Sequence, residues 1–471
     1  MKDSYASKRF GEKSTVALIK REKVSGTPAK YDQQAVDEVK GMLKEGVDYL
    51  GGMKKFVKPN DVVLLKVNSV YAVPPEAAWN VDPRLIEALV TLIREEVPDV
   101  RKIIVADDSA AVKQLPDLDS VDVMETNGIA PAARRAGAEV LCLEYDAHVR
   151  MTIPGARTFP YFDLPKAMAD ADVIISVPKW KNHIEGHMTL GIKNAQGYYC
   201  RILRQDGMSD PKNDKERRHA NDLHQKFVDT LKVVYPDLTI IDGLYAIQGD
   251  GPAAARDWQV IRDMNMIVMS DDIVAADSVC AQASGYAWDW VPTTRLAWRQ
   301  GFGHAKPEEI EIKGADLEKV MVKFIPPKLY DIQGYYDNVD IYTHGACVSG
   351  CQPLLRLTLN FPDEDGTLAK LKEPINFIIG NNTYIPPHLK PERTCLLGDC
   401  VWHEWLGLKE EGSLTAKDLA DRGALVIPGC PSFPNIFSKI PPWIQKIAEQ
   451  DQAELEAEAQ AEAEAKGEEK E

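Results

Sequence analysis

Two groups of residues in this 471-residue chain have the types and spacing to do chemistry. The first is a set of cysteines. The stretch ACVSGCQPLL, residues 346–355, places Cys347 and Cys351 four apart at the head of an apolar run, and Cys400 and Cys430 follow in GDC and GCP segments. A helix start leaves backbone N–H groups unpaired and favours negative charge, which suits thiolates bound to a cluster. A glycine near a ligand lets the backbone approach the sulfur and donate to it. Four thiolates in this pattern point to a [4Fe–4S] cluster, with tetrahedral zinc as the alternative. Zinc sites more often use two C-x2-C knuckles, and this chain has none. The competing reading is that the cysteines are small buried hydrophobes. Cys395 begins a strand rather than ending one and ranks below the other four, while Cys142, Cys200 and Cys280 are isolated, and Cys200 and Cys280 are expected to pack as hydrophobes.

The second group is PKWKNHIEGHMTLGIKNAQGYY, residues 178–199, which packs Lys179, Lys181, His183, His187, Thr189, Lys193 and Asn194 into a short span. A cationic, hydroxyl-bearing loop facing a crevice is suited to carboxylate or phosphate. His183, Lys181 and Lys193 are the candidates for proton transfer, since reduction of a carbonyl or unsaturated centre consumes a proton. His183 and His187 are four apart, as in a helical metal pair, but Ile-Glu-Gly between them is not HExxH and Gly186 weakens a helix. The plain alternative is a solvated turn with its lysines in water. His219 and His224 are five apart, so at most one faces a site from a helix. GDGPAAAR, 249–256, reads as a loop and matches no nucleotide fingerprint.

These groups need a scaffold, and the first 300 residues supply one. VALIK, DVVLLKVN, KIIVADDS, AEVLCLE, DVIISVPK and LTIIDG are short apolar runs separated by amphipathic helical segments. The pattern predicts an α/β fold with a mostly parallel sheet and helices on both faces. Asp82 as N-cap and Pro83 at the first helical position open one of those helices. Ligands of such sheets bind beyond the carboxyl ends of the strands. Those ends hold Lys66 and Asn68, then Asp107, Asp108 and Ser109, then Pro178 to His183, then Asp242 and Gly243. Lys66, Asn68, Asp108, Lys179, Thr189, Asn194 and Asp242 are therefore the candidate substrate-binding residues, and they should share one sheet edge. From about 335 the character changes. INFIIGNN, CLLGDC and ALVIPGCP each stop at a glycine, which predicts a second, smaller α/β unit with parallel strands and the clustered cysteines at one edge. The expected domains are 1–335, 336–446 and an acidic tail, 447–471, helical or disordered.

Composition bounds the partners. Residues 449–471 hold ten acidic residues and two lysines, a net of −8, half of the −16 carried by the whole chain. No basic stripe accompanies the remainder, which argues against nucleic acid. No run of about 18 apolar residues suggests a membrane span, and the polar N-terminus shows no secretory signal, so a cytoplasmic chain is expected.

Taken together, KVN at 66–68, DPRLIEAL, VADDS, PKWKNH with MTLGIKNAQG, a downstream histidine, LTIIDGLYAIQGDGP and SDDIVAADSVCAQASG resemble domain-of-unknown-function family 362 over roughly residues 15–305. Members are widespread in anaerobes and are commonly labelled iron–sulfur cluster-binding proteins of unassigned activity. The resemblance carries the motif onto Lys179, Lys181, His183, Thr189, Lys193 and Asn194, a glycine–proline element onto Gly251 and Pro252, and an aspartate-rich helix onto Asp271, Asp272 and Asp277. Many members carry a C-x2-C-x2-C-x3-C ferredoxin segment. This chain has the spaced set Cys347, Cys351, Cys400 and Cys430 instead.

Two functions are consistent with these residues. One is an iron–sulfur oxidoreductase that transfers electrons to a small anionic organic substrate, served by an electron-donor protein. The other is a non-enzymatic protein for metal-centre binding, assembly or electron delivery. An enzyme needs an enclosed crevice with perturbed lysines or histidine. A carrier needs only an exposed cluster edge. Homo-oligomerisation is open.

Overall fold

The computed structural model describes residues 10–109, 118–158, 160–184, 186–198, 221–252, 257–327, 332, 334–344, 346, 351–381, 383, 385–402, 414–429 and 433–468. The chain forms two compact units, one running to Pro327 and the other taking up from Lys328. The composition change thus lies a few residues beyond the boundary between them.

The strands of the first unit are β1 (Ser14–Lys20), β2 (Val62–Val67), β3 (Lys102–Asp107), β4 (Glu139–Cys142), β5 (His148–Thr152), β6 (Tyr161–Pro165), β7 (Val173–Val177), β8 (Lys179–His183), β9 (His187–Thr189), β10 (Leu238–Ile247), β11 (Val260–Ile261), β12 (Met266–Ser270) and β13 (Ile310–Gly314). All but the β5–β6 hairpin join one 11-stranded sheet with the spatial order β13-β1-β12-β10-β7-β2-β3-β4. The pairs β2–β3, β2–β7, β3–β4, β7–β10 and β1–β13 are parallel, while β12 runs antiparallel to both β1 and β10. The sheet is therefore mixed but mostly parallel, as the alternation of apolar runs and helices leads one to expect.

Both faces are covered, and β2 shows how. Its side chains alternate. Val63, Leu65 and Val67 enter the core with Val36, Val39 and Leu43 of the helix Gln33–Tyr49 and with Leu85, Leu89 and Ile93 of the helix Pro83–Glu96. Leu64 points the other way, into a cluster with Met168, Ala195 and Tyr198. Lys66 shares that second face. The Asp82 side chain caps the helix Pro83–Glu96 by accepting from the Arg84 N–H, with Pro83 at its first turn.

The polar span after Pro178 is not a loop. Lys179–His183 forms β8, which pairs parallel with β10, and β9 returns antiparallel to β8. Charge and a glycine read as loop signals, but Trp180 and Met188, on the hairpin's opposite face, are buried apolar anchors that hold these residues in a sheet. The lysines are not in water either, since Lys179 and Lys181 are each 1 % exposed.

In the second unit β14 (Val339–His344), β15 (Ile375–Gly380), β16 (Thr394–Leu397) and β17 (Leu425–Ile427) lie side by side in chain order, all parallel. The helices Cys351–Glu364 and Ile440–Glu468 pack Leu355, Leu359, Ile440 and Ile444 against Phe377, Ile379 and Leu397. Ile378 and Leu396 face the opposite way, towards Ala416 and Leu419. Gly380, Gly398 and Gly429 all take positive φ, which explains why each apolar run stops at a glycine. The acidic segment continues the 29-residue helix Ile440–Glu468, whose Asp451 is clamped by Arg393 at 2.8 Å.

Candidate functional site

Parallel register puts the expected strand ends together. Lys66 lies level with Ala106 of β3 and Ser176 of β7, and Asp242 of β10 lies level with Lys179 of β8. Asn68, Asp108 and Pro178 therefore emerge at one edge of the sheet. The helix Gly191–Asn194 closes over it. Its first two amides donate to the buried carboxylate of Asp277, Gly191 N–H at 2.6 Å and Ile192 N–H at 3.0 Å, which satisfies N–H groups a helix start leaves open. Burial pushes the Asp277 carboxyl up to about 7.

Three lysines of this edge are each 1 % exposed, and they are treated differently. Lys66 pairs with Asp107 at 2.7 Å, and its Nζ also donates to the Val67 carbonyl and to Asn194 Oδ1. Lys179 pairs with Asp242 at 2.8 Å, and Asp242 also accepts from the Asp82 N–H at 2.7 Å and the Leu244 N–H at 3.0 Å. Each of these lysines is matched by a carboxylate, so Lys66, Lys179 and Asp242, expected as substrate-binding groups, first of all hold the edge together. Asn194 does the same, donating to the Lys66 carbonyl and to Ser176 Oγ. Lys181 is different. Its Nζ donates to Asn68 Oδ1 at 2.7 Å and to the Trp79 carbonyl, and no carboxylate touches it among the described residues. Burial, reinforced by Lys193 and Lys179, drives its pKa well below the usual lysine range.

The β8–β9 hairpin displays what surrounds Lys181. Side chains alternate across it, so Lys181 and His183 share a face. Cross-strand pairing sets Thr189 opposite Lys181 and His187 opposite His183. The other face carries Trp180, whose indole donates to Ser284 Oγ at 2.9 Å, and Asn182, whose amide donates to Tyr286 OH and to the Ile325 carbonyl. Thr189 Oγ1 is buried and makes no hydrogen bond among the described residues. Lys193 lies alongside Gly186, where a Cβ would stand 2.8 Å from its Cδ and Cε, so a side chain there would displace the Lys193 stem. His183 Nδ1 accepts from the Gly186 N–H at 3.0 Å. His187 Nδ1 donates to the Trp290 carbonyl at 3.1 Å, and its ring lies 6.2 Å from that of His224.

All three imidazoles are held neutral. Burial of the ring, then Lys193 and Lys181, pushes His183 well below the usual histidine range. Burial also lowers His187, to about 4, and His224, to about 3. Buried N–H donors of lysine and histidine thus converge on one face of the hairpin, and neutral amine and imidazole are the forms that take up protons.

Asp108 is buried on the far side of this edge, where it adds to the upward push on Glu144. That carboxyl, raised chiefly by burial, titrates at about 7 and accepts from Ser120 N–H and Oγ. Sequence reasoning missed Glu144, Trp79 and Trp290. Two of these act through backbone carbonyls, which leave no residue-type signal. His219 lies outside the described residues; His224 is buried at the site.

In the second unit, Cys351 opens its helix at the carboxyl end of β14, and Cys400 sits in the turn Asp399–Trp402 after β16. Reciprocal bonds tie the segments after β16 and β17: the Asp399 N–H donates to the Gly429 carbonyl at 2.8 Å, and the Gly429 N–H donates to Asp399 Oδ1 at 2.6 Å. Cys347 and Cys430 lie outside the described residues, as does Cys200, so the grouping of four sulfurs is not on view. Cys395 is wholly buried in the core beside Cys351, and burial pushes its thiol far up. Cys280 is likewise a buried hydrophobe. No group of three or more metal-binding side chains occurs among the described residues.

Fold and site define an α/β protein with a buried lysine–histidine face at the carboxyl edge of its sheet. Residues 63–282 match the family model described as Domain of unknown function (DUF362), the family that the motifs resemble. It is 27 % identical over 290 residues, 59 % of this chain and 83 % of the relative, to the "Thylakoid-associated protein sll1697" of Synechocystis sp.. Among solved structures it resembles a Thermotoga maritima protein from a structural genomics consortium (TM-score 0.28, 9 % identity), covering 59 % of this chain and 61 % of that one. It also resembles the lactate racemase apoprotein of Thermoanaerobacterium thermosaccharolyticum (TM-score 0.29, 10 % identity), covering 67 % and 87 %. Both structural likenesses are distant. No helix among the described residues is long and apolar enough to cross a membrane.

Proposed function

We propose that the protein is an iron–sulfur enzyme that acts on a small anionic organic molecule seated against the β8–β9 hairpin. The observation that carries this reading is the convergence of Lys181, His183, His187 and Lys193 without a carboxylate partner for Lys181. Lysine and imidazole N–H donors gathered in a low-dielectric site suit an anion. In this reading Lys193 and Thr189 hold the anion, and Lys181 and His183 move protons. Lys66, Lys179, Asn194 and Asp242 keep the edge in register.

The cluster half of the proposal rests on Cys347, Cys351, Cys400 and Cys430. Parallel strands bring the Cys351 and Cys400 segments to one edge, and residue 430 directly follows Gly429, which is bonded to Asp399. Thiolates here suit iron–sulfur or zinc. A bound cluster would supply one-electron transfer. The test is protein purified without air. Iron, sulfide and an S = 1/2 EPR signal after reduction, lost in Cys400→Ser, support the cluster. Bound zinc without iron would overturn it. A cluster present in protein that binds no oxalate by calorimetry would favour the non-enzymatic reading, metal-centre assembly or electron delivery.

A further inference from the structure

We infer that Lys181 is a covalent catalytic lysine, and that the substrate is a small carbonyl-bearing acid, such as a 2-oxo acid, which it engages as an imine. This rests on the reading of the hairpin as the substrate site and adds to it a bond and a substrate class.

The argument is a comparison of three lysines. Lys66, Lys179 and Lys181 share the same edge and the same burial. Two of them end on carboxylates, Asp107 and Asp242, at 2.7 and 2.8 Å. A carboxylate partner holds an amine as ammonium, which has no lone pair to offer. The third ends on an amide oxygen and a backbone carbonyl, Asn68 and Trp79. Those acceptors orient Nζ through its N–H bonds and stabilise its charge less than a carboxylate does. Nucleophilic lysines are made by desolvation and a cationic neighbour, and Lys193 is that neighbour. Along β8 burial relaxes from Lys181 to His183, and His183 and Lys193 are partly reached by solvent. A substrate carboxylate would be met by Lys193 at this opening, with its carbonyl carbon turned inward to Lys181. Thr189 lies directly across from Lys181, its buried hydroxyl making no hydrogen bond among the described residues. It is placed to donate to the carbonyl oxygen.

The step balances without an oxidant or reductant. The amine lone pair attacks the carbonyl carbon and a C–N bond forms. The oxygen takes one proton from the nitrogen and one from solvent, the C–O bond breaks and water leaves. The iminium that remains carries one positive charge, which the substrate's own carboxylate offsets.

The test uses glyoxylate as the probe, with cyanoborohydride to reduce any imine to carboxymethyl-lysine, on the full chain at pH 7, followed by peptide mapping. One unit of lowered pKa raises the free-amine fraction about tenfold. Lys181 should therefore be modified at least about tenfold faster than Lys66, Lys179 and the surface lysines. Asn68→Asp places a carboxylate on the acceptor atom with little change of shape. It should slow labelling of Lys181 about tenfold or more and leave surface labelling unchanged. Labelling of Lys181 no faster than surface lysines would overturn the inference, as would an Asn68→Asp variant that labels as the parent does. Oxalate, an anion without an aldehyde or ketone, separates the two readings. If oxalate binds and Lys193→Met weakens it while Lys181 stays unlabelled, the anion site stands and the imine falls. If neither oxalate nor glyoxylate engages the hairpin, both fall.

Discussion

At the residue scale the three buried lysines predict opposite responses to substitution. Asp242→Ala strands a buried ammonium at Lys179 and leaves the Asp82 N–H without its acceptor. It should cost about 3–5 kcal/mol in urea unfolding. Lys181→Met removes a desolvated amine that has no ionic partner and should change stability by less than about 1.5 kcal/mol. Equal losses would mean that Lys181 is held as a charged group. Glu144 gives a pH signature. Its folded pKa of about 7 lies above the ordinary carboxyl value, about 4.3 in an unfolded chain. Between those values the native state keeps a proton the unfolded state has lost, so the stability it contributes is full below about 4.3 and falls as pH rises to 7. Glu144→Gln should flatten that fall relative to the parent. Asp277, also at about 7, falls in the same window and His187, at about 4, works in the opposite sense. The parent-minus-variant difference across pH 4.5–7 is therefore the quantity to measure, and a variant with the parent's slope would exclude Glu144.

At the element scale, the glycines of the motif mark where backbone and side chains meet too closely for a Cβ. A Cβ at Gly197 would stand 2.4 Å from Lys66 Cε and 2.6 Å from Asp107 Oδ1. Gly197→Ala should therefore lower stability by about 1–3 kcal/mol in thermal melts by displacing the Lys66–Asp107 pair. Gly41→Ala, in the helix Gln33–Tyr49 with nothing within 4 Å, should raise it by about 0.5–1 kcal/mol. These glycines also show what could be read from the chain alone. Strand ends at Lys66, Asn68, Asp107 and Asp242 were legible because apolar runs alternating with helices imply parallel strands, whose ends gather at one edge. The strands of the second unit were legible by the same logic. The hairpin was not, because buried lysines and histidines carry the composition of a loop. Partnership was not legible either, since Lys179 meets a carboxylate 63 residues away and Lys181 an amide 113 residues away. No local pattern distinguishes the two lysines.

At the scale of the whole molecule, the acidic C-terminal helix divides into a buried anchor and an exposed part. Asp451 accepts from Arg393 through both oxygens and from the Lys372 N–H at 2.7 Å, whereas the side chains described from Ala453 onward are exposed, Glu458 meeting Lys372 at 2.6 Å on the surface. Deleting residues 456–471 should change the stability of the second unit by less than about 0.5 kcal/mol. Asp451→Ala should cost about 1–3 kcal/mol, read in denaturant titrations of both variants. A larger effect from the deletion would mean that the exposed part contributes more than a surface ion pair. In the first unit, β10 is buried along all ten of its residues and is bonded to β7, β8, β11 and β12. That places the hairpin on the part of the chain whose amides should exchange with deuterium last. A small molecule that reaches Lys181 cannot wait for β8 to part from β10, because that opening is the rarest the unit undergoes. Filling and emptying the site must run on a faster clock, past His183 and Lys193. The exchange times of residues 239–247 should then remain those of global unfolding whether the site is filled or empty.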